Sequence, residues 1–289
     1  MKFKGIGLVM MAAVFWGVSG GIADILMNKG WDPTVISFYR GVVGLVFFLV
    51  WFLSRLSKNR TFNKRLFIWA TLAGIGIAGN FTFYFLSIEH SSIAIAATLM
   101  YTAPVFVLLI SFMFRIERST WFKWGCIFGV LVGIILLTGA YDFTSISVSV
   151  TGAITGLAAG LSYALFIFGF KNTSSYGRPQ SSLLVAFFVF CLILFAISDK
   201  QDLVSAMTSE DAALFLLLGI VGAGVSFFLY VIGIRHTTAT TASMVAMVEP
   251  VTASLFGVLL LGDYLNMLQV LGMVLILVTI TILSKKQSH

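Results

Sequence analysis

Apolar runs long enough to cross a lipid bilayer recur ten times along the chain, at about 5–27, 34–53, 66–88, 93–114, 121–140, 150–170, 181–198, 212–234, 240–260 and 267–284. Each holds about 18 to 23 residues, and a helix of that length covers roughly 30 Å of hydrocarbon at about 1.5 Å per residue. A barrel strand would need only about 10 residues and would alternate polar with apolar side chains, so helices are expected. Only 10% of the 289 residues are Asp, Glu, Lys or Arg, against roughly 25% in soluble domains, which leaves no charged shell to face water. The first run is longer than the roughly 7 to 15 apolar residues of a cleaved leader, and nine more follow it, so it is expected to remain as a span. The predicted fold is an all-α polytopic membrane protein with ten transmembrane helices joined by short connections, the longest polar one being Asp199–Asp211.

The formal charge of +7 is not gathered on one face, so nucleic acid is not an expected partner. Its distribution instead reports topology. With the N-terminus in the cytoplasm, the inner segments hold Lys2, Lys4, Arg55, Lys58, Arg60, Lys64, Arg65, Arg115, Arg118, Lys123, Lys171, Arg178, Arg235, Lys285 and Lys286. Outside lie only Lys29 and Lys200, with Arg40 inside the second span. Short loops rich in Lys and Arg stay cytoplasmic, which predicts a multi-pass protein of the cell membrane with both termini inside. Cys126 and Cys191 both fall within apolar runs, where they read as small buried hydrophobes rather than a disulfide framework.

The chain also repeats itself. His90, Pro104 and Glu117 are matched 146 residues later by His236, Pro250 and Asp263, and Trp16 is matched at nearly the same offset by Tyr163. The expected halves are 1–145 and 146–289, each with five helices. An odd number makes the second half enter the membrane from the other side, giving two inverted five-helix repeats. Such repeats build secondary transporters, whose sites lie near the midplane where the repeats meet.

Five motifs stand out: Phe15-Trp16-Gly17, Phe38-Tyr39-Arg40-Gly41, Tyr101-Thr102-Ala103-Pro104, Val248-Glu249-Pro250-Val251 and Leu261-Gly262-Asp263. Together they resemble those of the drug/metabolite transporter superfamily and, within it, the EamA-type ten-helix transporters. The family usually carries Glu at the last of these positions, and Gly-Glu-Arg where Ile116-Glu117-Arg118 stands here. The resemblance implies an exporter or exchanger of amino acids and related small metabolites, with importers as a minority.

Glu249 lies near the centre of its span, where a carboxylate costs at least a few kcal/mol unless it is paired, protonated or hydrogen-bonded. Two readings are open. It couples protons or binds a substrate amine, or it accepts hydrogen bonds from backbone amides freed at Pro250. Pro104 and Pro250 each remove a backbone donor in mid-span, which breaks or kinks a helix and suits a cavity wall. Arg40 either snorkels or pairs with Asp24 or Asp32, or else holds a substrate carboxylate in its guanidinium fork. Trp16, Asn80, Tyr84, Tyr101, Ser162, Tyr163 and Tyr230 fall near the expected midplane, and with Arg40 they form the predicted cavity set.

Glycine stripes at Gly125, Gly129 and Gly133, and at Gly152, Gly156 and Gly160, permit close helix packing or, on the fifth span, a dimer contact. Catalysis is not expected. Gly17-Val18-Ser19-Gly20 resembles an intramembrane serine-protease motif, but His90, His236 and His289 all lie at span ends or the terminus, away from Ser19. The sequence has no HExxH metal motif and no GxxxxGK[ST] phosphate loop, so no metal or cofactor is expected. The expected function is secondary transport, foremost amino-acid export by alternating access and possible proton coupling. Uptake by the same fold and a non-transporting receptor or scaffold are the alternatives. The partners are a small-molecule substrate and the bilayer, for a monomer or homodimer.

Overall fold

A computed structural model describes residues 2–54, 63–142 and 149–288. Arg55, Lys58, Arg60 and His289, which entered the sequence reading, lie outside the described residues. Among the described residues, ten helical segments are long and apolar enough to span a membrane. The first three are the continuous helices α1 (Lys2–Asn28), α2 (Pro33–Leu53) and α3 (Lys64–His90). Local chemistry sets their limits. Asp32 caps α2 by accepting from the Thr34 amide ahead of a proline that needs no donor, and Asn63 caps α3 through the amides of Arg65 and Leu66.

The fourth span is divided into α4 (Ile93–Met100) and α5 (Ala103–Met113). Next come α6 (Trp121–Thr138), α7 (Val150–Thr173) and α8 (Pro179–Ile197). The connection that follows contains a short helix, α9 (Lys200–Thr208), capped by Asp199. The sequence reading treated this segment simply as a polar connection, because its low hydropathy hid a capped amphipathic turn. The eighth span consists of α10 (Ala212–Gly219), a π-helical turn at Ile220–Val225, and α11 (Ser226–Ile234). The ninth is divided into α12 (Ala239–Val245) and α13 (Val248–Phe256), with a π turn at Gly257–Leu261, and α14 (Met267–Ser288) is the last.

Among the described residues, the side-chain ties between loops fall into two separate sets. One set joins the 115–123, 171–179 and 235–240 segments, at the face where α1 begins. The other joins the ends of α1 and α3 to the 139–149 and 198–211 segments and those around Asn266, at the opposite face. Successive spans therefore alternate in direction.

Packing follows the small residues. α3 lies along α7, α14 along α6, and α1 runs between α11 and α13. Gly129 and Gly133 of α6 face Thr279 and Ile276 of α14, while Gly156 and Gly160 of α7 meet Leu99 and the carbonyls of Leu99 and Met100. These glycines serve intramolecular contacts, and only Gly125 in the first stripe faces open space. The outer surface is apolar, with Val50, Trp121, Phe128 and Leu259 among its most exposed side chains. A rim of that kind is suited to lipid rather than water.

Candidate functional site

The two divided spans are interrupted at equivalent places. Tyr101 has φ −75° and ψ 5°, and Met247, which lies 146 residues later, has φ −70° and ψ 4°. Both conformations belong to the bridge region between turn and helix. The sequence suggested a break at the prolines themselves. In fact Pro104 and Pro250 sit in the first turn of the following segment, and the interruption lies just before them. Proline lacks the donor for the carbonyl one turn earlier and clashes with it, yet its fixed φ suits a helix start. The chain answers by tightening locally. The Thr102 amide donates to Leu99 O (3.2 Å), Met247 N to Met244 O (3.1 Å) and Glu249 N to Ala246 O (2.9 Å), each three residues back.

Glu249 occupies the first turn of α13, where helix amides favour a carboxylate. Its side chain accepts a hydrogen bond from the Tyr163 hydroxyl of α7 at 3.2 Å, and Tyr101 is a second hydroxyl engaging it. Among the described residues, no backbone amide donates to this carboxylate. The tightened turn already supplies those amides with carbonyl partners, so the capping alternative raised by the sequence has no counterpart in the hydrogen bonding. Every residue from Ala239 to Val248 is buried, whereas Glu249 keeps part of its surface accessible.

Around this carboxylate stands an aromatic wall. Trp16 of α1 meets Tyr230 at 4.9 Å between ring centroids, Phe227 at 5.0 Å, Phe166 at 6.2 Å and Tyr163 at 6.5 Å. Phe166 and Phe227 escaped the sequence reading, which searched for polar handles. Their spacing from Tyr163 and Tyr230 by three residues, one helical turn, was the available signal. Trp16 Nε1, Tyr230 Oη and Ser226 Oγ are buried there without a hydrogen-bond partner. Buried polar groups are normally satisfied, so these three atoms stand out within an otherwise apolar wall.

Arg40 of α2 is buried. It reaches the Ser19 carbonyl at 3.4 Å and stacks over Phe81 at 4.9 Å, while its Nε has no partner. The acids considered for it are occupied elsewhere: Asp32 caps α2, and Asp24 accepts from Asn28. Arg40 forms no ion pair among the described residues, though it lies within electrostatic reach of Glu249. Tyr84, half-buried on α3, is within reach of both Glu249 and Asp24 and so stands between midplane and opposite face.

Two members of the predicted set serve another place. Asn80 donates to Ala159 O at 3.1 Å, and Ser162 packs against Gly76 and Gly79, so both belong to the α3–α7 seam. Ser19 donates to Trp16 O at 2.8 Å and is fully buried, and among the described residues it makes no hydrogen bond to a histidine. Among the described residues, no group of three His, Cys, Asp or Glu side chains could hold a metal.

The N-terminal face is closed by ties the sequence reading missed. Lys171 Nζ donates to Ile234 O (3.0 Å) and Thr237 O (2.6 Å), while Arg235 donates to the carbonyls of Ser174 and Gly177 at 3.0 and 2.9 Å. Glu117 pairs with Lys123 at 2.7 Å and accepts from the Thr240 amide at 3.1 Å. In the sequence Lys123, Lys171 and Arg235 read only as topology markers, and Glu117 as the repeat partner of Asp263.

Ten spans with two interrupted helices around a buried carboxylate define a polytopic membrane protein of the transporter class. The model of the EamA-like transporter family matches residues 3–139 and again residues 150–285, and the chain belongs to that family. Its relatives include an uncharacterized transporter, YwfM, of Bacillus subtilis, 23% identical over 96% of this chain and 92% of the relative. They also include the uncharacterized inner membrane transporter YicL of Salmonella typhimurium, 26% identical over 97% and 95%. The threonine/homoserine exporter RhtA of Escherichia coli is 26% identical over 92% of this chain and 85% of its own. A solved crystal structure shares the fold with a TM-score of 0.78 at 17% identity, covering 99% of both chains. The protein is a membrane transporter.

Proposed function

We propose that the protein exports amino acids or closely related small metabolites by alternating access, with two inverted repeats, residues 1–145 and 146–289, rocking about a site at Glu249. The observation that carries this reading is the Glu249 carboxylate, inside the bundle at an interrupted helix, held by Tyr163 and walled by Trp16 and Tyr230. An amino acid needs an anionic partner for its ammonium and a cationic one for its carboxylate. Glu249 and the ion-pair-free Arg40 supply that pair, and charge-assisted hydrogen bonds are the strong ones. Trp16 Nε1 and Tyr230 Oη add donors for a polar side chain. Similarity to a threonine/homoserine exporter supports the same substrate class.

Coupling runs through Glu249, which takes up a proton in one orientation and releases it for substrate in the other. The segregation of Lys and Arg supports a cell-membrane protein with both termini cytoplasmic. The test is efflux from proteoliposomes loaded with labelled threonine, homoserine or other neutral amino acids. Release faster than from protein-free vesicles, and slowed in Trp16→Ala and Glu249→Ala, is expected. Equal release with and without protein across the whole panel would end the amino-acid reading.

A further inference from the structure

The closed N-terminal face rests on a carboxylate outside the central site. Glu117 follows the fourth span, and its Oε1 accepts the amide of Thr240, the second residue of α12. The first amides of a helix have no partner inside it, and the seven residues of α12 are all buried. Glu117 therefore fastens the end of one divided span to the start of the other.

Each part of this fastening has an equivalent 146 residues away. The Thr238 hydroxyl, which accepts from Thr241 N at the start of α12, corresponds to the Ser92 hydroxyl, which accepts from Ile95 N at the start of α4. Glu117 N donates to Ser111 O at 3.3 Å, and Asp263 N donates to Gly257 O at 3.1 Å. The two acids thus leave their spans through the same backbone wrap. The amide equivalent to Thr240 is that of Ala94. Here the likeness stops. Asp263 is exposed and, among the described residues, makes no hydrogen bond to Ala94.

We propose that Glu117 and Asp263 are alternating latches. Glu117 holds α12 while the N-terminal face is closed. Asp263 takes the Ala94 amide of α4 when the opposite face closes, and each contact is released as the other forms. The inference rests on the alternating-access reading and deepens it. The two latches are unequal. Glu117 is steadied by Lys123 at 2.7 Å, whereas Gln269 stands at the equivalent position and is engaged with Asn266 and Leu137. Asp263 also faces the like charge of Asp24. The resting protein is accordingly biased towards a closed N-terminal face.

The test uses two cysteine reporters at equivalent sites, Ala97→Cys in α4 and Ser243→Cys in α12, each in a Cys126→Ala, Cys191→Ala background. The protein is placed in nanodiscs, so that a polar maleimide reaches both faces. Removing a charge-assisted hydrogen bond changes a two-state ratio roughly tenfold. Glu117→Ala is expected to speed labelling of the Ser243→Cys reporter and slow that of Ala97→Cys, shifting their ratio by about that factor. Asp263→Ala should shift the ratio the other way, by less. The double variant should return it towards the parent value, which simple loosening would not do. Should Glu117→Ala fail to fold, Glu117→Gln loses the Lys123 pair alone and must give the same sign.

Both reporters speeding together in either variant, or an unchanged ratio, would overturn the latches. Labelling needs no substrate, so the two readings fail separately. Reciprocal shifts without flux would retain the switch and remove the transport reading. Normal flux without reciprocal shifts would do the reverse.

Discussion

The two divided spans break at equivalent residues and then part company. Ahead of the second break, α12 is wholly buried, with Ala239 only 2% exposed, while its counterpart α4 leaves Ile93 63% exposed. α12 is fastened by the charged Glu117 and flanked by the Lys171 and Arg235 ties, whereas the side-chain tie across to α4 among the described residues is the neutral Thr98–Thr138 hydroxyl pair at 2.7 Å. Similar sequence and equivalent backbone thus occupy two environments in one molecule. On the alternating-access reading proposed above, the difference is that between two exchanged arrangements, of which the protein rests in one. A symmetric protein open on neither face would pack both half-helices alike.

The sharpest way to break this comparison is to crowd each break through the glycine that meets it. An added Cβ at Gly17 of α1 would stand 2.5 Å from Glu249 O and 2.8 Å from Ala253 N, both backbone atoms that cannot step aside. At Gly160 of α7 it would stand 3.0 Å from Leu99 O and Met100 O, a smaller intrusion. Overpacking of this sort costs about 1–3 kcal/mol or more. Gly17→Ala is expected to lower the thermal midpoint clearly and Gly160→Ala much less. Equal losses in a detergent melting assay would mean that the two breaks are equally tight.

Second in size is Lys171→Met. It keeps the aliphatic stem but strips the donor from Ile234 O and Thr237 O, leaving buried carbonyls at a cost of roughly 1–3 kcal/mol. Because these ties belong to the closed face alone, the variant should raise thiol labelling of Ser243→Cys as well as lower stability. A lower midpoint with unchanged labelling would make Lys171 a general brace rather than part of the closure.

The smallest effect belongs to the opposite face. Asp211 is held by Lys29 and by Trp31 Nε1 at 2.8 Å, and those two hydrogen bonds keep its carboxyl below the usual carboxylate range. A folded-state pKa below the unfolded value contributes stability above the unfolded pKa, and this is lost as pH falls through the folded one. Exposed pairs contribute little. Asp211→Asn is therefore expected to leave the midpoint at pH 7 nearly unchanged and to remove only a slight acid dependence below about pH 4. A large loss at pH 7 would show that the opposite face is also firmly fastened.

The ten spans were legible because bilayer thickness imposes a length that composition reveals directly. The equivalence of Pro104 and Pro250 was legible for a related reason, since proline has few roles in mid-span. The exact place of each break was not, because it depends on how neighbouring amides recover partners, as Met247 and Glu249 do. Trp16, Tyr163 and Glu249 come together in the fold. Asn80 and Ser162 shared their depth but face the α3–α7 seam, and rotation about a helix axis is weakly encoded when nearly every side chain is apolar. Lys171 and Arg235 were invisible as closure elements because their partners are backbone carbonyls, which carry no sequence mark.

The central claim is that Glu249 works on substrate and proton rather than as structural support. Glu249→Gln tests it directly, because the amide carbonyl can still accept from Tyr163 while no proton can be released. The measurement is proteoliposome flux of the wild type and this variant, as substrate exchange and under an imposed pH step, with thermal stability taken in parallel. Retained stability, with exchange slowed by the lost charge but still measurable and pH-driven transport lost, is the expected result. Wild-type transport under the pH step would contradict it.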